Sequence, residues 1–137
     1  MDIKFHLALP CRDLGETRNF YNDVILAKLG RHAENWLDVD LFGNQLTFTQ
    51  SGTFNFDFKN YRLDNQILPS FHFGAIVPIG IWEELHARIS ELGLEFTQGA
   101  TFLKDRLGEH ISFFVKDPNG YMVEFKSFRD AKEVFSS

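Results

Sequence analysis

Cysteine is nearly missing from this chain: Cys11 stands alone, so no internal disulfide can staple the fold. A lone cysteine fits a reducing compartment, and Met1-Asp2-Ile3-Lys4 does not read as the start of a signal peptide, so the expected location is the cytoplasm. Basic residues are outnumbered, 14 Lys and Arg against 19 Asp and Glu, which gives a net charge of −5 and a pI near 5.5. That balance argues against a nucleic-acid partner, whose phosphates demand a basic footprint. No apolar run approaches the length of a membrane span, so no membrane partner is expected either. What the chain has in quantity is phenylalanine, sixteen of its 137 residues, within a 44% hydrophobic composition. Such a chain can bury a real core, with aromatic rings lining it or a pocket beside it.

Turn chemistry marks two hairpins. Asp117-Pro118-Asn119-Gly120 separates Ile111–Val115 from Tyr121–Phe125, two runs rich in strand formers. Gly43-Asn44 is the expected turn of an earlier hairpin, Trp36 to Gln50. Alternation along that hairpin puts Asp38, Asp40, Gln45, Thr47 and Thr49 on one face and Leu37, Val39, Leu41, Leu46 and Phe48 on the other. The first face is polar enough to line a cavity; the second is ready to receive a helix. Ile3–Leu9 reads as a strand stopped by Pro10, followed by an Asp13 cap and an amphipathic helix over residues 14–25. Phe71–Val77 reads as a strand stopped by Pro78, followed by a helix marked by Trp82, Leu85, Ile89 and Leu92 and ended by Gly93. A short strand is expected around Leu94-Glu95-Phe96.

The two halves therefore repeat: Phe5-His6 against Phe71-His72, Leu29-Gly30 against Leu92-Gly93, and a hairpin closing each. Two βαβββ modules are implied, residues 3–50 and 70–128, within one domain spanning 1–137. The stretch 51–69 joins them, its aromatic residues folded over a cleft.

Glu124 is a carboxylate inside an otherwise apolar strand, a place where an ionised group needs water, an ion pair or a cation. His6 and His72 occupy matching places in the two modules. Two imidazoles and a carboxylate suit a divalent transition metal and leave coordination positions open. A two-residue reading of the last turn pairs Phe113 with Glu124, so that Phe113 and Val115 wall the site, and makes Thr49 the counterpart of Glu124 in the first module. Asp38, Asp40, Gln45, Thr47 and Thr49 then offer substrate hydrogen bonds, with Arg106 and His110 contributed by the loop before the last hairpin. Strict alternation sets His110 on the face opposite Glu124.

Phe5-His6, the Phe20-Tyr21 helix leading to Leu29-Gly30, Phe71-His72, and the run Asp117 to Phe125 together resemble the vicinal oxygen chelate superfamily. This superfamily includes glyoxalase I, extradiol dioxygenases, and fosfomycin and bleomycin resistance proteins. The resemblance spans residues 3–128. Trp36-Leu37-Asp38, Phe42-Gly43-Asn44-Gln45, Gly108-Glu109-His110 and Glu124 to Phe128 make it most similar to small single-domain proteins grouped with the extradiol dioxygenases. The resemblance implies an α+β fold, two βαβββ modules forming a curved mixed sheet around a metal-centred cavity with the helices outside. It implies His6, His72 and Glu124 as ligands of Fe(II), with Mn(II), Zn(II) or Ni(II) as alternatives. The implied activity is dioxygenase chemistry on a small substrate with two adjacent oxygens, in a homodimer. A glyoxalase-like isomerase or lyase and a drug-sequestering binding protein are the competing readings. Thr49, where glyoxalase I supplies a fourth ligand, counts against the isomerase; Phe114, where extradiol enzymes carry a tyrosine, is a departure from that group.

Overall fold

The computed structural model describes residues 2–63, 65–97 and 99–136. The chain divides into two compact units, Met1–Phe56 with Asp117–Gly120, and Asp57–Lys116 with Tyr121–Ser137.

In the first unit β1 (His6–Cys11) leads through α1 (Leu14–Asn19) and a π-helical turn (Phe20–Val24) to β2 (Lys28–Ala33), β3 (Trp36–Leu41) and β4 (Asn44–Gln50). The sheet order is β1-β4-β3-β2, with β1 parallel to β4 and the remaining pairs antiparallel. Asp13 caps α1 as expected, its Oδ1 accepting from the Glu16 amide at 2.8 Å. Beyond Asn19 the helix widens instead of continuing, so the expected helix over 14–25 is α-helical only in its first half. Leu37, Val39, Leu41, Leu46 and Phe48 are buried on one face of the sheet, and Tyr21 meets Phe48 there with ring centroids 4.9 Å apart. Pro10 does not end β1. It stays in register with Thr49, because β1 is an edge strand and a missing N–H there breaks no ladder bond.

The second unit repeats the order with β7 (His72–Ile76), α2 (Ile79–Glu91), β8 (Ala100–Phe102), β9 (His110–Lys116) and β10 (Met122–Phe128). Its sheet runs β7-β10-β9-β8, the same topology as the first. The two βαβββ modules are thus confirmed as an α+β fold. Trp82, Leu85 and Ile89 bury α2 against the sheet, each worth about 2 kcal/mol of apolar transfer, and the Trp82 indole donates to the Phe125 carbonyl at 3.0 Å. Gly93, at φ 67°, supplies the left-handed residue that stops α2. Around Leu94-Glu95-Phe96 there is only a single bridge, Phe96 to Val115; the strand comes later, as β8. The joining stretch contributes a hairpin of its own to this unit, β5 (Asn60–Leu63) with β6 (Gln66–Pro69), and Leu68 packs with Phe102 and Phe114. Among the described residues no helix is long and apolar enough to cross a membrane.

Both hairpin turns differ from the sequence reading. Leu41 pairs with Asn44, so the first turn is Phe42-Gly43, with φ of 51° and 88°, and not Gly43-Asn44. Asn44 is engaged elsewhere: its Oδ1 accepts from the Phe5 amide at 3.1 Å and ties β1 to the turn. In the last hairpin Lys116 pairs with Met122, leaving five residues, 117–121, in the loop. Asp117 builds that loop by accepting the Asn119 amide at Oδ1, 2.9 Å, and the Gly120 amide at its carbonyl, 3.1 Å. The 117–120 segment is anchored in the first unit: Tyr21 Oη donates to Asp117 Oδ2 at 2.9 Å, Arg12 N to Asn119 Oδ1 at 2.8 Å, and Asn119 Nδ2 to Thr17 Oγ1 at 3.2 Å.

Candidate functional site

Loop parity decides which side chains share a face in the last hairpin. Because the loop has an odd number of residues, Glu124 pairs with Phe114, Lys126 with Ser112, and Phe128 with His110. β7 adds His72 beside Met122 and Gly74 beside Glu124; β8 adds Phe102 beside His110. His72, Glu124, Lys126, Ser112, Phe114 and His110 therefore line the sheet face opposite α2. Phe113 is corrected by this register: it does not wall the site but lies fully buried on the α2 face, packed against Trp82, His86, Phe96 and Phe125. Val115 moves with it. His110 is corrected in the other direction and shares the face of Glu124.

On that face His72 and Glu124 meet. The His72 Nδ1 sits 2.9 Å from the Pro69 carbonyl, an acceptor only, so Nδ1 carries the proton. Nε2 lies 3.4 Å from Glu124 Oε1. In the neutral imidazole Nε2 offers a lone pair, and so does the carboxylate; a proton on Nε2, or a cation shared by the two, holds such a pair together. Ser112, 1% exposed, donates to Glu124 Oε2 at 2.5 Å and leaves Oε1 to face His72. The Lys126 ammonium stands 4.0 Å from Oε1 and 5.8 Å over the Phe128 ring. Phe114 packs edge-on to His72, with centroids 5.1 Å apart. Gly74 is required beside Glu124: a Cβ there would run into the Glu124 backbone carbonyl. Farther along, His110 is stacked between Phe102 and Phe128, and its Nδ1 donates to the Gly108 carbonyl at 2.8 Å, leaving Nε2 as an acceptor. The β5–β6 hairpin encloses a cavity of about 50 Å³ whose walls include Leu68, Ser112 and Phe114.

In the first unit His6 is exposed at the start of the edge strand, paired with Gln45. By register Ala8 pairs with Thr47 as Gly74 pairs with Glu124, so the counterpart of Glu124 is Thr47 and not Thr49. Thr49, exposed, pairs with Pro10 and Trp36 on the same face. Thr47 Oγ1 donates to Asp38 Oδ1 at 2.6 Å, while Gln45 Nε2 and Arg31 Nε donate to Asp38 Oδ2 at 3.0 and 3.2 Å. Burial alone would push the Asp38 carboxyl up, but the hydrogen bonds from Thr47, Gln45 and Arg31 outweigh it and hold the group below the ordinary carboxylate value. Asp38 therefore organises this face; it is too fully engaged to serve as a free contact for substrate. A cavity of about 220 Å³ opens beside it, with Lys4, Arg31, Asp40 and Gln45 among its walls. Arg106 lies exposed in the 103–109 loop, where its amide donates to the Leu103 carbonyl at 3.0 Å. Among the described residues no three His, Cys, Asp or Glu side chains are clustered; the pair that the second unit brings together is His72 and Glu124.

Sequence reasoning missed Ser112, Lys126, Pro69 and Gly74. Gly74 carried a signal, a glycine interrupting a strand beside a second backbone. The others depend on register and on a backbone carbonyl, neither of which a residue type announces.

The same architecture is found in solved structures. A glyoxalase/bleomycin resistance protein/dioxygenase from Alicyclobacillus acidocaldarius is 27% identical, with 98% of this chain and 97% of that chain covered at a TM-score of 0.81. The fosfomycin resistance protein FosX from Listeria monocytogenes shares the fold at 15% identity, 97% and 98% coverage and a TM-score of 0.70. FosX from Mesorhizobium loti does so at 14% identity, 92% and 91% coverage and 0.59. No curated protein matches the chain in sequence. The sequence profile of one superfamily matches residues 5–125, nearly the full run of both modules, and the chain belongs to it: the Glyoxalase/Bleomycin resistance protein/Dioxygenase superfamily.

Proposed function

We propose that the protein is a metal-dependent oxidoreductase, an extradiol-type dioxygenase acting on a small substrate with vicinal oxygens, with Fe(II) held by His6, His72 and Glu124. The observation that carries this reading is the pair of facing acceptors, His72 Nε2 and Glu124 Oε1 at 3.4 Å, with the remaining atoms of both groups already satisfied by Pro69 and Ser112. That donor set fits a divalent cation, and a bound one supplies Lewis acidity toward a chelated pair of oxygens. The proposed third ligand is His6; a 2-His-1-carboxylate set suits non-haem iron. The position matching Glu124 in the first module is Thr47, whose hydroxyl donates to Asp38, so a fourth ligand of the isomerase kind is missing there.

The chain's own groups would do the rest. Lys126 places a positive charge next to Glu124 and favours a substrate oxygen that has lost its proton. His110, its Nδ1 fixed by Gly108, offers Nε2 to receive a proton. Phe114, Phe102 and Leu68 keep the neighbouring space apolar and exclude water. Thr49, Gln45 and Arg106 remain substrate-contact candidates. The working form is proposed to be a cytoplasmic homodimer: β1 and β7 each end their sheets as edge strands, and Phe135 is fully exposed.

The test is metal content together with oxygen uptake on a panel of catechols. Stoichiometric iron in the protein as purified, lost in each of His6→Ala, His72→Ala and Glu124→Ala, and catechol-dependent oxygen consumption are the expected results. Metal retained by any one of the three variants overturns the ligand assignment. Metal binding without oxygen uptake on any catechol overturns the dioxygenase and favours the isomerase.

A further inference from the structure

The α2 face of the second unit carries a separate cavity of about 290 Å³, walled by Ile79, Thr101, Ile111, Ser127, Glu109 and Arg129, with parts of His110 and Phe128. It lies on the side of the sheet away from His72 and Glu124, because Ser127 alternates with Lys126 and Phe128 along β10. Ser127 is the unusual member. It is 4% exposed, and among the described residues its hydroxyl has no hydrogen-bond partner, although it opens onto the cavity. A hydroxyl on a largely buried residue that still opens onto a cavity takes its hydrogen bond from whatever fills that cavity.

Three further features point to the same kind of occupant. Ile79 is the first residue of α2, so the helix start forms one wall. No side chain caps α2, its first turn holds no acidic residue, and the amides of residues 79–81 precede its first internal bond, Trp82 N to Pro78 O at 3.0 Å. Such amides attract anionic oxygen. Arg129 gives Nη1 to Glu109 Oε1 at 3.2 Å, and among the described residues its other guanidinium nitrogens have no protein partner. Glu109 is the one carboxylate in the wall, and its Oε1 is engaged by Arg129 and by the Asp105 amide at 2.6 Å. Thr101 adds a second hydroxyl, and Ile79 and Ile111 add apolar surface.

We propose that this cavity binds the oxyanion head, carboxylate or phosphate, of a small ligand whose apolar body rests on Ile79 and Ile111. Ser127 and Arg129 donate to the head, and the first turn of α2 faces it. The site needs no metal and is independent of the dioxygenase reading.

Amide chemical shifts followed during titration with inorganic phosphate and, separately, with acetate, at constant ionic strength held by chloride, test the site. Saturable shifts are expected at Ile79–Ile81, Ser127 and Arg129, and the tighter of the two anions identifies the head group. Ser127→Ala and Arg129→Gln should each weaken binding about tenfold, the loss of one hydrogen bond to a charged group. Both leave His72 and Glu124 untouched, so metal uptake should match that of the unaltered protein. Absence of saturable shifts with both anions, or unaltered affinity in Ser127→Ala, overturns the proposal; if that variant does not fold, Arg129→Gln at the exposed end decides in its place.

Discussion

Replacing Tyr21 by Phe removes one oxygen from the buried junction that holds the β9–β10 loop. The ring itself should stay, since its contacts with Phe20 and Phe48, both at centroid distances of 4.9 Å, need no hydroxyl. What is lost is the bond from Oη to Asp117 Oδ2 at 2.9 Å, between a residue that is 0% exposed and one that is 4% exposed. A hydrogen bond to a charged partner is worth about 1.5–3 kcal/mol. Asp117 keeps its bonds from the Asn119 amide at 2.9 Å and side chain at 3.1 Å, so the carboxylate is not stranded and the lower half of that range applies. The expected cost is about 2 kcal/mol, which in a chain of this size lowers Tm by about 5–10 °C. Urea unfolding should show the midpoint falling with an unchanged slope, because no new surface is exposed in either state. A double-mutant cycle with Asp117→Asn should return most of the 2 kcal/mol as coupling. A Tm within about 2 °C of the unaltered protein, or additive single variants, would refute the argument that this bond fixes the loop.

Three other outcomes are expected. Because the folded-state pKa of Asp38 is depressed, its stabilising contribution is present above the unfolded carboxylate value and fades as pH falls through the folded one. Urea midpoints of the Asp38→Asn variant measured from pH 7 downward should therefore converge on those of the unaltered protein in acid; a constant gap would count against it. Gly74→Ala should cost about 3 kcal/mol or more in a urea melt, since its Cβ meets the Glu124 backbone and overpacking is not relieved by a rotamer change; a neutral result would show that β7 is not held against β10 as described. Ser112→Ala should weaken metal uptake about tenfold, as expected for a residue that orients a ligand, and should lower Tm as well, since it also removes a buried hydrogen bond to a carboxylate; unaltered metal affinity would reduce Ser112 to a packing role.

The repeated modules were legible because they are written in local signals: a β-rich run, an apolar stripe at helical spacing and a turn-flanked hairpin, twice over. The cap at Asp13 and the stop at Gly93 are equally local. What the residues did not reveal is what depends on counting across a loop. In the first hairpin the turn lies one residue earlier than Gly43-Asn44, which slides the register by two and leaves every face as expected. In the last hairpin the loop holds an odd number of residues, and every face exchanges. The cause is not in the turn residues alone. Asp117 and Asn119 are held by Tyr21, Arg12 and Thr17, residues about a hundred positions away, and those bonds keep the loop long.

That exchange of faces bears directly on the chemistry. With Phe113 opposite Glu124, β9 would turn Ile111, Phe113 and Val115 toward the carboxylate in place of Ser112, and His110 would leave its face. With the observed pairing it has Ser112 on one oxygen, Lys126 near the other, and His110 further along the same face. Phe113 meanwhile goes where a large apolar side chain contributes most, beneath Trp82 and beside Phe125. The four Phe of these two strands are thus divided by a single parity: Phe113 and Phe125 build the core under α2, and Phe114 and Phe128 wall the face that carries His72 and Glu124. Inserting or deleting one residue between Asp117 and Tyr121 would reverse that division, sending Glu124 into the core and Phe125 onto the ligand face. The anchoring of the loop by Tyr21 and Asn119 is therefore part of what builds the face that carries His72 and Glu124, although neither residue lies on it.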